Sequence, residues 1–271
     1  MRFLLLALLS LVALSSCADN NPASTHEESP DWYQPAVFAT WHWQLSGEVN
    51  TGYKVDMYDI DLFDSPVFLI QQLQSKNIKV ICYFSAGSYE EWRSDAGEFN
   101  AWDLGNNLDG WPGERWLDIR SSNVREIMKL RLDLAVNKGC DGVEPDNVDG
   151  YTNNPGFNFT ASDQLDYNRF LAIEAHERGL AIGLKNDLDQ IVQLVDYFDF
   201  TVNEQCFEYD ECALLKPFVD QGKAVFIAEY QEKYVSNKQV RDGLCANSNG
   251  QQFSTLILPL NLDDEFRLSC L

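Results

Sequence analysis

Histidine is scarce in this chain of 271 residues: only His26, His42 and His176 occur, and no two stand at a metal-ligand spacing. A metal centre built on imidazoles is therefore excluded, although an oxygen-ligand set from Asp61, Glu144 and Asp146 stays open. No cofactor is called for. Basic residues are also few, 20 against 42 acidic ones, for a formal net charge of −22. Such a field repels nucleic acid and other polyanions and attracts cations. It equally suits plain solubility, so charge ranks candidate substrates without naming one. Long apolar runs are missing too: the single one, 3–14, falls well short of the ~20 residues of a spanning helix. Repeats and low-complexity segments are absent.

Arg2, the apolar run and Leu14-Ser15-Ser16-Cys17 instead make a targeting segment. It resembles the lipobox of bacterial lipoproteins, which implies a signal peptide over 1–16, lipidation of Cys17 and an exported cell-envelope lipoprotein touching membrane only through its lipid. Simple secretion is the alternative. Residues 17–35, with Pro22, Pro30, Pro35 and little to bury, read as a flexible tether. The remaining 36–271 match the size of one α/β barrel, ~250 residues. With Cys17 set aside, six cysteines remain, an even number that suits an oxidising compartment. Cys206 with Cys212 and Cys245 with Cys270 are the expected pairs. Cys82 and Cys140 fit either a bridge or two buried thiols.

Short runs rich in β-branched and aromatic residues alternate with helix-period segments, as βα units of a parallel sheet do. Strands are expected over 37–43, 55–62, 79–85, 142–146, 181–185, 198–203, 224–229 and 254–260. Helices are expected over 66–76, 124–138, 162–178, 187–195, 211–221 and 233–244. Ser65-Pro66 resembles an N-cap with proline at the first helical position, and Gly139, Gly179 and Gly222 follow helix ends. The fold class is α/β, a single (β/α)8 TIM-type barrel with a long insertion after strand three, at 88–119.

In such a barrel the carboxyl ends of the strands face the active site. Here they carry Trp43, Asp61, Tyr83, Ser85, Glu90, Glu144, Asp146, Asn147, Lys185, Asn186, Glu204, Glu229 and Tyr230. Glycosidic cleavage needs two carboxyl groups, one protonating the leaving oxygen and one attacking the anomeric carbon or activating water. Strands four and six are not neighbours, so Asp146 and Glu204 leave room for a sugar between them. Lys185 on strand five is expected to favour an ionised Asp146, while carboxylate crowding keeps a proton on Glu204. Asp149 and Asp187 read as helix N-caps or ion-pair partners instead.

The runs Val80-Ile-Cys-Tyr-Phe-Ser-Ala-Gly-Ser-Tyr-Glu90, Trp111-Pro-Gly-Glu-Arg-Trp-Leu-Asp-Ile-Arg120, Gly139-Cys-Asp-Gly-Val-Glu-Pro-Asp-Asn-Val-Asp149, Gly183-Leu-Lys-Asn186 and Asn203-Glu-Gln-Cys206 together resemble glycoside hydrolase family 114. The resemblance runs from about Trp41 to Tyr230. It implies a retaining endo-α-1,4-polygalactosaminidase on a barrel without a metal, with Asp146 as nucleophile and Glu204 as acid/base. A cationic, deacetylated galactosamine polymer would agree with the acidic charge. Tyr83, Ser85, Glu90 and Arg93 are the expected contacts to sugar hydroxyls or amine, joined by Asp61, Glu144, Asn147, Lys185, Asn186, Glu229 and Tyr230. Trp41, Trp43, Trp92 and Trp111 are candidate stacking platforms, Trp43 foremost because it ends a strand. Two rival readings are a surface lipoprotein that binds carbohydrate without cutting it, and a metal-dependent hydrolase or deacetylase on the same barrel.

Overall fold

The structure, a computed structural model, describes residues 30–271; the expected leader, Cys17 and most of the expected tether lie outside them. Twelve strands follow in chain order: β1 (Trp41–Gln44), β2 (Met57–Asp61), β3 (Lys79–Ser85), β4 (Ser88–Glu90), β5 (Leu104–Asn107), β6 (Glu114–Leu117), β7 (Gly142–Asp146), β8 (Ala181–Lys185), β9 (Phe200–Glu204), β10 (Ala224–Glu229), β11 (Ser254–Ile257) and β12 (Leu268–Ser269). The helices are α1 (Val67–Gln74), α2 (Ser122–Lys138), α3 (Ala161–His176), α4 (Ile191–Leu194), α5 (Cys206–Tyr209), α6 (Lys216–Asp220), α7 (Glu232–Ser236) and α8 (Lys238–Gly250). The main sheet runs β1-β2-β3-β7-β8-β9-β10-β11-β12. Its first eight members are parallel, and β12 adds antiparallel to β11. Strands β4, β6 and β5 form a separate antiparallel sheet between β3 and α2.

These eight strands are the barrel. Its seam, between β11 and β1, is bridged by other means than a ladder: the Trp41 indole donates to the Ser254 carbonyl at 2.8 Å and the amides of Leu45 and Ser46 to Leu262. Helices follow six of the eight strands; β1 leads into a loop over 45–56 and β11 into β12. Expected helix 211–221 divides into a 3-10 turn, Cys212–Leu215, and α6. Expected 233–244 divides into α7 and α8 at Asn237, whose side chain accepts from the amides of Gln239 and Val240. Strand one starts late because Phe38 adopts a left-handed φ of 64°. Pro66, not Ser65, occupies the N-cap of α1, whereas Gly139 closes α2 in the left-handed conformation that favours glycine, φ 83°.

Strand alternation divides the core into two layers. Trp41, Met57, Ile81, Ala181, Phe200, Phe226 and Leu256 pack inside the barrel. Tyr58, Ile60, Val80, Phe84, Val143, Ile182, Leu184, Val225 and Ile227 face outward onto helices such as α2, which buries Val124, Ile127, Met128, Leu132 and Ala135. The same parity relocates Glu229: in step with Val225 and Ile227, it points away from the barrel interior and accepts the Phe207 amide at 2.9 Å. It does not line the cleft. At the base of the barrel the Trp32 indole donates to Asp199 at 2.8 Å and stacks on His176 at 4.0 Å. Trp32, inside the 17–35 segment expected to be a tether, is thus packed on the barrel.

Disulfides join Cys82 to Cys140, Cys206 to Cys212 and Cys245 to Cys270, which suits an extracellular, oxidising compartment. Among the described residues no helix is long and apolar enough to cross a membrane. The Cys82–Cys140 bridge spans 58 residues, including the whole β4–β6 sheet, against 6 for Cys206–Cys212. Loop-closure entropy then predicts that Cys82→Ala/Cys140→Ala lowers stability by about 4 kcal/mol and Cys206→Ala/Cys212→Ala by about 2 kcal/mol; urea unfolding of the two variants checks the order.

Burial pushes the carboxyls of Glu229 and Asp187 up, to about 7 and about 8. Both bind a proton more tightly folded than unfolded. Their contribution is complete below the ordinary carboxylate range and is lost as pH rises through 7 and 8. Melting temperature should accordingly fall between pH 5 and pH 8, and Glu229→Gln/Asp187→Asn should flatten that slope in a thermal-melt series.

Candidate active site

The inward side chains change character at one level of the barrel. Below lie Trp41, Met57, Phe200 and Phe226; above them Asp59, Tyr83, Glu144, Asp146, Lys185 and Glu204 converge. Lys185, at the end of β8, is the hub. Its Nζ stands 3.0 Å from Asp146 Oδ1, 3.3 Å from Glu204 Oε2 and 3.5 Å from Glu144 Oε1. The Trp43 ring lies 5.0 Å from the same ammonium. Burial opposes the charge on Lys185, but Asp146, Glu204 and Glu144 outweigh it and hold the ammonium well above the ordinary lysine range.

Four carboxyls thus surround one cation, and exposure divides them. Asp59 and Glu144 are sealed off, and burial pushes both well above the usual carboxylate range despite Lys185 pulling the other way. The side chains of Asp146 and Glu204 are 19% and 26% exposed and line a cleft of about 780 Å³, within the range of ligand pockets. Asp146 receives donors on both oxygens: the Asn147 amide at 2.7 Å and Lys185 on Oδ1, the Tyr83 hydroxyl at 3.1 Å on Oδ2. Glu204 accepts from the Tyr230 hydroxyl at 2.5 Å and from Asn186 at 3.4 Å. Lys185 stands beside both acids because β8 lies between β7 and β9.

Left-handed turns follow each of these strands. Asn147, Asn186 and Gln205 have φ of 59°, 48° and 64°, so the chain turns sharply away and leaves the preceding side chain at the mouth. Behind Asp146, Gly87 is required by close approach: a Cβ there would stand 1.7 Å from the Asn147 carbonyl oxygen. Its amide and that of Ala86 both donate to the Asp146 carbonyl.

Other expected contacts have different duties. Ser85 is fully buried, its hydroxyl shared with Ser88 at 2.6 Å and receiving the Asn147 side-chain amide at 2.9 Å. It positions the β7 turn rather than a sugar. Asp61, Glu90 and Arg93 reach the cleft wall but are spent on one another: Arg93 forks onto Asp61 at 3.0 and 2.6 Å and onto Glu90 at 2.8 and 2.7 Å. With Asp61 paired to Arg93 while Glu144 and Asp146 face Lys185, the open oxygen-ligand set divides between two cations. Trp41 serves the seam; Trp43, 1% exposed with its ring by Lys185, lines the cleft, as do Trp92 and Trp111, which are about half exposed. Asp149 and Asp187 precede short helical turns without capping them; Asp187 instead accepts from Asn168 at 2.8 Å. Asp59, one of the acids at the end of strand two, joins the layer by its parity with Asp61, and the residue missed from sequence is Glu114, which lines the cleft from β6 and whose carboxyl burial raises to about 7.

The glycoside-hydrolase family GH114 matches residues 22–271. The crystal structure of Aspergillus fumigatus Ega3 in complex with galactosamine is similar over 89% of this chain and 98% of that one, with 44% identity and a TM-score of 0.84. The glycoside hydrolase domain of PelA from Pseudomonas aeruginosa shares the fold, with a TM-score of 0.68 over 85% of this chain and 98% of that one, at 12% identity. No curated protein matches. A family match over nearly the whole chain, with that identity to Ega3, shows that the chain belongs to glycoside hydrolase family GH114.

Proposed function

We propose that this glycoside hydrolase cuts within an α-1,4-linked, galactosamine-containing polysaccharide by a retaining mechanism, with Asp146 as nucleophile and Glu204 as acid/base. The observation that carries the reading is the pair of cleft-exposed carboxyls on either side of Lys185. One ammonium 3.0 Å from the first and 3.3 Å from the second limits the separation of those two oxygens to the sum of the distances. That limit lies below the ~6.5–9.5 Å characteristic of inversion, where the wider gap holds the attacking water beside the intact substrate. In the first step an Asp146 oxygen attacks the anomeric carbon as Glu204 gives its proton to the departing glycosidic oxygen. In the second, Glu204 takes a proton from water, whose oxygen attacks the same carbon and frees Asp146. Tyr230 orients Glu204 by its short hydrogen bond, and Lys185 with Tyr83 fixes Asp146.

The substrate reading draws support from the galactosamine bound to Ega3 and from a net charge of −22 that favours a cationic polymer. The N-terminal reading is a lipoprotein leader over 1–16, a lipid on Cys17 and a tether leading to the docked Trp32.

Asp146→Asn and Glu204→Gln should each lose at least ~10³ of the rate while keeping the wild-type melt, since nucleophile and acid are separately indispensable. Proton NMR of the first product should show the α anomer; wild-type turnover in either variant, or an initial β product, overturns the assignment. Catalytic efficiency on deacetylated galactosamine polymer should fall as salt rises, because screening shortens the steering field to ~8 Å at physiological ionic strength. A fully N-acetylated polymer should show little such dependence in the same assay.

A further inference from the structure

We propose that a second cavity, across the β4-β6-β5 sheet from the catalytic cleft, binds distal amino-sugar units of the chain being cut; this rests on the galactosamine-polymer reading. The small sheet is a partition. Residues paired across antiparallel strands share a face, so Tyr89, Arg115 and Asn107 lie on one side, while Glu90 and Glu114 project from the other. Glu90 and Glu114 border the catalytic cleft. Tyr89, Asn107 and Arg115, with Glu91 in step with Tyr89, line a separate cavity of about 520 Å³.

The two spaces meet at the turn between β5 and β6. Leu108, Asp109, Trp111 and Glu114 border both of them. This rim is tied down: Leu108 donates its amide to Glu114 at 3.0 Å, Trp111 to Leu108 at 3.2 Å and Glu114 to Trp111 at 3.2 Å. Gly110 and Gly113, with φ of 85° and 93°, permit the reversal. Trp111 sits on the crest, 51% exposed. An indole held there on a fixed turn has one apolar face free for a sugar ring crossing from one space to the other.

The charges facing the second cavity suit an amine. Arg115 donates to the carbonyls of Leu104 and Gly105 at 2.7 to 3.0 Å, so its guanidinium is engaged within the sheet. The carboxylates lining it are Glu91, which borders this cavity alone, and Asp109 and Glu114, which border the catalytic cleft as well. Unbranched amino sugar linked in a chain offers what this surface takes: apolar ring faces at the rim and an ammonium per unit beyond it.

The test compares catalytic efficiency on long deacetylated galactosamine polymer with that on a short oligosaccharide confined to the catalytic cleft. Glu91 borders the second cavity alone, so Glu91→Arg replaces attraction with repulsion there and leaves the cleavage machinery intact. The expected result is a loss of about fivefold in kcat/KM on the polymer, through KM, with the oligosaccharide unchanged; a reversed charge at one exposed contact accounts for that size. Glu91→Gln should lie between wild type and Glu91→Arg. Equal effects on both substrates, or none on the polymer, overturn the distal site while leaving the substrate reading in place. A wild-type enzyme inactive on both substrates overturns the substrate reading and the distal site together.

Discussion

One buried ammonium organises this molecule. Lys185 Nζ lies within 3.5 Å of carboxyl oxygens on Glu144, Asp146 and Glu204, where little water reaches it. Carboxylates so close repel one another, and moving charge out of water is costly, so the arrangement depends on the cation that neutralises it. Leaving one member of such a buried pair without its partner typically costs about 3–5 kcal/mol. The position of the lysine follows from sheet order: β8 lies between β7 and β9, so a side chain at its end reaches acids on both neighbours. Two of the surrounding carboxyls are sealed beneath, and the two that reach solvent are the ones available to a substrate.

Maintaining that layer imposes demands on the backbone around it. The strands must stop at a common level, and left-handed Asn147, Asn186 and Gln205 turn the chain out directly after β7, β8 and β9. Asparagine tolerates this conformation through its short polar side chain. Here those side chains are also used: Asn186 holds the Glu204 amide at 3.0 Å, and Asn147 bonds Ser85. The apolar floor of Trp41, Phe200 and Phe226 supplies the opposite requirement. It excludes water from below, which keeps the ion cluster strong and confines its access to the mouth.

The cleft walls obey the same rule of paired charge. Arg93 is fully engaged by Asp61 and Glu90, with the Phe63 ring 4.8 Å away. Residues whose chemistry suits sugar binding therefore serve to hold a wall in shape, and the cleft is otherwise lined by the partly exposed carboxyls of Asp146 and Glu204 and the indoles of Trp43, Trp92 and Trp111. Charge density in a sequence says little about which charges are free.

The eight parallel strands, Asp146, Lys185 and Glu204 were all legible in the sequence, because each strand is an apolar run of fixed period whose end is marked by the first polar residues. The family motifs cover the same ends. Strand limits failed where a single dihedral intervened, as at Phe38, and helices 211–221 and 233–244 divided where local capping at residues such as Asn237 outweighed period. Glu229 points away from the site because composition at a strand end does not state which face a side chain takes, and parity with Ile227 settles it; Ser85 is inward by parity like Tyr83 but is held by Ser88 and Asn147. Asp61 and Arg93 lie 32 residues apart, and their pairing exists only once β2 and the segment after β4 are brought together. Sequence determined which residue types stand at the mouth, since that depends on period and position along each strand. Tertiary structure alone decided which of them pair with one another and which stay free, because pairing depends on distances between strands that no local pattern encodes.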